Sequence, residues 1–145
     1  WLESGIEALI RNEPARVFFG ETMAKRTNQG MSMYAWISAP GSLPRTTLRS
    51  DNIPSESNGW SGQNYPGYSN PHMDDLVDSI EIELDPSKRM PLWADFQLLY
   101  ATDLPALPLF FRAEAYFFPK WLKGVRPTGH LSTTTTWVEE WSVEE

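Results

Sequence analysis

The sequence predicts an α/β fold, and three observations carry that reading. Residues 71–84 and 86–100 have the apolar spacing of two successive amphipathic helices. Short β-prone runs bounded by Gly, Pro or Asn lie on both sides of that pair. The chain is 41% hydrophobic and holds seven tryptophans in 145 residues, which is enough for a real core and argues against disorder.

Each element follows from local chemistry. Trp1 to Gly5 reads as the last turn of a helix with Gly5 as its left-handed terminator. With no initiator Met, the chain reads as a piece of a longer protein, so the lack of a signal peptide carries little weight. Ile6–Ile10 alternates between Gly5 and Asn12 and predicts a strand. Pro14 suits the first turn of a helix that carries Val17, Phe18, Phe19 and Met23 to about Arg26. Asn28-Gln29-Gly30 is a turn, and Met31–Trp36 predicts a second strand with Ser32, Tyr34 and Trp36 on one face.

Residues 39–68 are rich in Gly, Pro, Ser and Asn. Leu48, Ile53, Trp60 and Tyr65 within them argue for a packed loop rather than low complexity. Asn70 is a good N-cap and Pro71 a good first helical residue. Met73, Leu76, Val77, Ile80 and Leu84 then mark the inner face. Asp74, Asp75 and Asp78 sit near the positive end of that helix and read as a solvated face. Asp85-Pro86 repeats the start signal, Leu92, Trp93, Phe96, Leu99 and Tyr100 form the second inner face, and Pro91 predicts a kink. Leu107–Phe111 and Ala115–Phe118 read as strands, Gly124, Pro127 and Gly129 as turns, and Thr133–Val138 as a β-prone tail.

Charge and motifs narrow the function. A net charge of −7 with scattered Lys and Arg argues against a nucleic-acid or anionic-membrane partner. Cysteine is absent, so thiolate sites and disulfide scaffolds are excluded. No run approaches the ~20 apolar residues of a membrane-spanning helix. His72 and Asp75 share a helix face, but a metal site needs further ligands at defined geometry, and the other histidine is His130. No nucleophile elbow, phosphate loop or His-Glu-x-x-His is present. Glu139, Glu140 and Glu144 read as a charged tail rather than a glycosidase pair. No catalysis, no cofactor and no metal are expected.

The ordered set of phrases resembles the C-terminal part of the family 5 extracellular solute-binding proteins, the peptide/nickel-type receptors of ABC importers. It runs from Trp1–Gly5 through Ala35-Trp36, Gly62-Gln63-Asn64, Asn70-Pro71, Asp74-x-Leu76, Asp85 with Arg89, Asp103-Leu104-Pro105 and Pro108-Leu109 to Gly124-Val125. The resemblance spans nearly the whole chain; no single phrase is diagnostic. It implies a lobe fragment of a two-lobe periplasmic-binding-protein fold, with 1–118 as part of the C-terminal lobe and 119–145 returning to the N-terminal lobe. It implies a periplasmic or extracellular, possibly membrane-tethered, receptor that closes on a small-molecule or peptide ligand and delivers it to the membrane permease subunits. Unpaired strand edges in the tail would let such a fragment self-associate.

The candidate ligand contacts are Tyr34, Trp36, Ser38, Trp60, Gln63 and Asn64. Trp36 matches the family's strand-end position at the cleft, where an indole offers a flat apolar face and one donor; a core role is the bland alternative. Trp60, Gln63 and Asn64 lie in a loop whose Gly59 and Gly62 allow close backbone approach; a self-satisfied turn is the alternative there. Asp85 with Arg89 reads as helix stabilisation. Peptide-binding relatives commonly place an Asp a few residues after the strand-end Trp, to pair with the ligand's amino group. Here Ile37, Ser38, Ala39 and Pro40 follow, with no acid until Asp51. Either the ligand lacks a free amine at that point, or Asp51 or a residue outside this sequence replaces the acid. A carbohydrate-binding or carbohydrate-active domain, stacking its aromatics on sugar rings, is the alternative from another class.

Overall fold

The computed structural model describes residues 2–37, 41–111, 115–128 and 134–144. They fall into two compact units: Trp1–Ser32 with Arg45–Pro105, and Met33–Pro44 with Ala106–Glu145. This division interleaves along the chain.

The first unit is built on two helices. α3 spans Pro71–Ile82 and α4 spans Pro86–Asp103, preceded by α1 (Ala15–Val17) and α2 (Arg45–Leu48). Both long helices start as their sequence predicts. The Asn70 side chain accepts the His72 N–H, and the Asp85 side chain accepts the Ser87 N–H, each behind a proline at the first helical position. Met73, Leu76, Val77 and Ile80 are buried on α3, and Phe96 on α4. α3 packs on α4, and α2 packs on α3. Trp93 meets Phe96 edge-on at 5.3 Å between ring centroids. α3 stops before Leu84, which is exposed, so the fifth apolar position of the spacing lies outside the helix. α4 runs unbroken through Pro91.

α1 continues as a wider π-helical turn over Phe18–Met23, and Met23 is buried. The predicted helix after Pro14 is therefore present, but only its first residues are α-helical. Leu2–Ser4 forms a 3-10 turn closed by Gly5 at φ 77°, as the start of the sequence predicts.

The predicted strands differ. Ile6–Ile10, Met31–Trp36, Leu107–Phe111 and Ala115–Phe118 form no ladder. A strand needs a neighbour for its N–H and C=O groups, whereas β-propensity supplies only an extended backbone. Alternation survives without pairing: Ser32 and Tyr34 are half-buried while Met31 and Met33 are exposed. Among the described residues the one ladder lies in the second unit. β1 (Leu122–Lys123) pairs antiparallel with β2 (Ser142–Val143), with Leu122 opposite Val143. The described part of the β-prone tail is a 3-10 segment, Thr134–Glu140, interrupted at Trp137. Arg126 joins it twice, pairing with Glu140 and lying 5.3 Å over the Trp137 ring.

The core of the first unit gives a direct test. Ile80 is fully buried and Ile82 is 81% exposed, two residues apart on one helix. Ile80→Ala is expected to cost about 2–5 kcal/mol, and Ile82→Ala less than about 0.5 kcal/mol. Urea denaturation of the two variants measures both; equal losses would contradict this burial pattern.

Candidate functional site

The loop from Arg49 to Tyr68 is assembled around Asn64, whose side chain is fully buried. Its Nδ2 donates to the carbonyls of Arg49 at 2.9 Å and Tyr68 at 2.8 Å, and its Oδ1 accepts the Tyr68 N–H at 3.0 Å. Its backbone N–H donates to the Asn52 carbonyl, and its own carbonyl accepts the Gly67 N–H, both at 3.0 Å. Both amide hydrogens are thus used inside the loop, so the self-satisfied alternative describes Asn64. Gly62 sits at φ 113°, and a Cβ there would overlap the Asn52 carbonyl. The close approach that Gly62 permits is to the loop's own backbone.

Trp60 is the exposed product of this assembly. It occupies the left-handed region at φ 62° and is 37% exposed. Gly59 precedes it at φ 65°, and the Trp60 N–H donates to the Ser55 carbonyl at 2.7 Å. Ser55 in turn donates its N–H to Asn58 Oδ1 at 2.9 Å, and Asn58 Nδ2 donates to the Ile53 carbonyl at 2.9 Å. A non-glycine residue in this region is strained, and such strain collects at functional positions. Gln63 is half-buried beside Asn64.

Polar contacts tie the loop to the helix pair. Arg49 and Arg45 both pair with Asp78 of α3, Arg45 reaches Glu81 at 2.5 Å, and Arg49 holds Asp51 at 3.1 Å. Asp74 accepts the N–H and hydroxyl of Ser50. Asp74 and Asp78 therefore hold the loop rather than forming a merely solvated face. The Arg49 hydrogen bond, then that of Arg45, holds the Asp78 carboxyl below its usual range. Arg49 does the same for Asp51. At the far end Asp103 accepts from the Tyr68 hydroxyl at 2.6 Å and from Asn70 Nδ2 at 2.7 Å, which holds its carboxyl low. Burial, then the Asp103 hydrogen bond, pushes the Tyr68 phenol up. Asp85 spends its carboxylate on Ser87, and no ion pair links it to Arg89.

Tyr34 and Trp36 lie in the second unit. Their rings meet edge-on at 6.1 Å, and Trp36 is 43% exposed. Trp60, Gln63 and Asn64 belong to the first unit, and Ser38 lies outside the described residues. The residues that sequence reasoning missed are Arg49 and Tyr68, which anchor the loop, and Asn58, which props up Trp60. Ser55-x-x-Asn58-Gly59 is a readable signal for the last, a polar cap followed by a residue tolerant of positive φ.

Two outcomes follow from this geometry. Asn64→Ala removes the partner of the Arg49 and Tyr68 carbonyls and of the Tyr68 N–H, and is expected to lower unfolding free energy by about 1–3 kcal/mol in thermal or urea melts. Wild-type stability here would show that water replaces the amide. Asp78 and Asp103 have depressed folded pKa values, so their contribution is full above the unfolded value, about 3.9, and is lost as pH falls through the folded one. Tyr68→Phe removes the largest cause at Asp103. Its urea midpoint should fall less steeply than wild type below pH ~4; parallel curves would count against the Asp103 contact.

No protein-family model, curated protein or solved structure matches this chain, so its functional reading rests on its own residues.

Proposed function

We propose that the chain is the C-terminal portion of an ABC-importer solute receptor of the family 5 type, exported, that captures a small polar or peptide-like solute between two lobes for a membrane permease. No chemistry is required of it. The observation that carries the proposal is Trp60, an aromatic side chain kept partly exposed on a strained backbone by a loop with a buried amide at its centre. A rigid aromatic face beside a few polar groups is what small-ligand sites use. Trp36, with Tyr34 on its edge, is proposed as an aromatic contact in its own right. Asn64 serves by holding the loop, and Gln63 is the loop's amide contact.

Ligand chemistry follows from Asp51. This first acid after Trp36 already holds Arg49 and accepts from Asn52 Nδ2 at 2.7 Å. A ligand ammonium there would share a carboxylate whose charge Arg49 already partly neutralises. Between the two readings that remain, an acid outside this sequence or a ligand without a free amine at this point, we favour the second: a blocked or modified peptide, a sugar-like molecule or another polar solute.

Isothermal titration calorimetry on the full-length receptor tests this with tripeptides, their N-acetylated forms and oligosaccharides. Trp60→Gly should remove about 1–2 kcal/mol of backbone strain while losing the ring, so binding weakens without a matching loss of stability. Unchanged affinity would remove Trp60 from the site. Tight binding of free-amine tripeptides that acetylation abolishes would overturn the ligand class. Hydrolysis of an oligosaccharide would favour the carbohydrate-active alternative.

A further inference from the structure

We propose that Asn58–Gly59 is a covalent modification site gated by the Trp60 loop: the pair deamidates when that loop opens, and the product no longer holds Trp60 in place. The effect on a ligand rests on the receptor reading above; the modification itself does not.

Asn58 is the asparagine in this sequence followed by glycine, the residue that hinders attack by its own backbone nitrogen least. It is exposed, and a Cβ built on Gly59 would meet nothing within 4 Å, so water reaches the pair. The chemistry needs only water. The Gly59 nitrogen attacks Asn58 Cγ, forming an N–Cγ bond. The Cγ–Nδ2 bond breaks, and Nδ2 leaves as ammonia, taking up the proton that the Gly59 nitrogen gives up. Water then opens the cyclic imide. Cleavage at Cγ gives aspartate, and cleavage at the original backbone carbonyl gives isoaspartate.

The folded loop engages every reacting group. The Gly59 N–H donates to the Glu56 carbonyl at 3.1 Å. Asn58 Oδ1 accepts from Ser55, and Nδ2 donates to Ile53. Ring closure requires these bonds to open, so its rate follows the population of the open loop. The products differ from Asn58 where it matters. Aspartate still accepts the Ser55 N–H but has no hydrogen for the Ile53 carbonyl. Isoaspartate also inserts a methylene into the main chain ahead of Trp60, whose N–H must reach the Ser55 carbonyl.

The test incubates the intact chain at mildly alkaline pH with and without urea and maps the peptide carrying Asn58 by mass. Deamidation there should be at least about tenfold slower in the folded protein, which corresponds to an opening free energy of about 1.4 kcal/mol or more. Asn64→Ala, which loosens the same loop, should speed it in the absence of urea. Asn58→Asp should lower hydrogen-exchange protection at the Trp60 amide. Equal rates with and without urea, or unchanged Trp60 protection in Asn58→Asp, overturn the proposal. None of these readouts uses a ligand, so they succeed or fail independently of the receptor reading.

Discussion

A primary amide taken out of water must find partners for two hydrogens and one oxygen, and that demand at Asn64 organises the first unit. Its partners are backbone groups of Arg49 and Tyr68, on either side of it in sequence. Those two residues then reach outward. The Arg49 guanidinium meets Asp78 on α3, and the Tyr68 hydroxyl meets Asp103 at the end of α4. One buried side chain thus fixes the two ends of a loop, and the loop ends grip opposite parts of the helix pair. Replacing the amide removes three loop-closing bonds at once and leaves their half-buried backbone partners to find water.

The charged contacts and the apolar face do different work. Asp78, Glu81 and Asp51 are substantially exposed, and ion pairs in that setting add little stability. Met73, Val77 and Ile80 are fully buried, and each such side chain gives about 1.5–3 kcal/mol. Stability therefore resides in the α3 face, while the arginines set where α2 and the loop sit along it. The capping bonds at Asn70 and Asp85 belong with the arginines in this respect, since they define where each helix starts. Asn70 does both jobs, accepting from His72 and donating to Asp103.

What was legible in the sequence divides by the range of the interaction. α3 and α4 were readable because their causes are local: a cap, a proline behind it, and apolar residues every three or four positions. The left-handed Gly5 was readable for the same reason, and Gly124, read as a turn, also has positive φ. The strands were not, because a strand is completed by a partner that the strand's own residues do not specify. Met31–Tyr34 keeps its alternating burial yet has no ladder, and the alternation stops at Trp36, which is exposed. In the tail, Ser142–Val143 found a partner in Leu122–Lys123, which no propensity in either pair announced. Of the candidate site, the loop was legible from its glycines, but the roles within it were not. Gln63 and Asn64 are adjacent amides in sequence, and only the structure shows that the second is the buried strut while the first is half-buried beside it.

Trp60 is one of three described non-glycine residues, with Arg26 and Leu104, where local rules and the observed residue disagree. Gly59, Trp60 and Gly62 all have positive φ, and at Trp60 a glycine would satisfy the backbone without strain. A tryptophan there costs about 1–2 kcal/mol in backbone energy. Burial of the indole could offset that cost if it were complete, but more than a third of the residue remains in water. The remaining compensation comes from the loop, through the Ser55 carbonyl, the Asn58 prop behind it and the Asn64 strut beneath. Several hydrogen-bonding groups are thus committed to holding one aromatic ring half out of the protein. The buried part of the indole returns some of that cost, and the hydrogen-bonded turn supplies the rest, so the strained backbone and the partly exposed ring are maintained together.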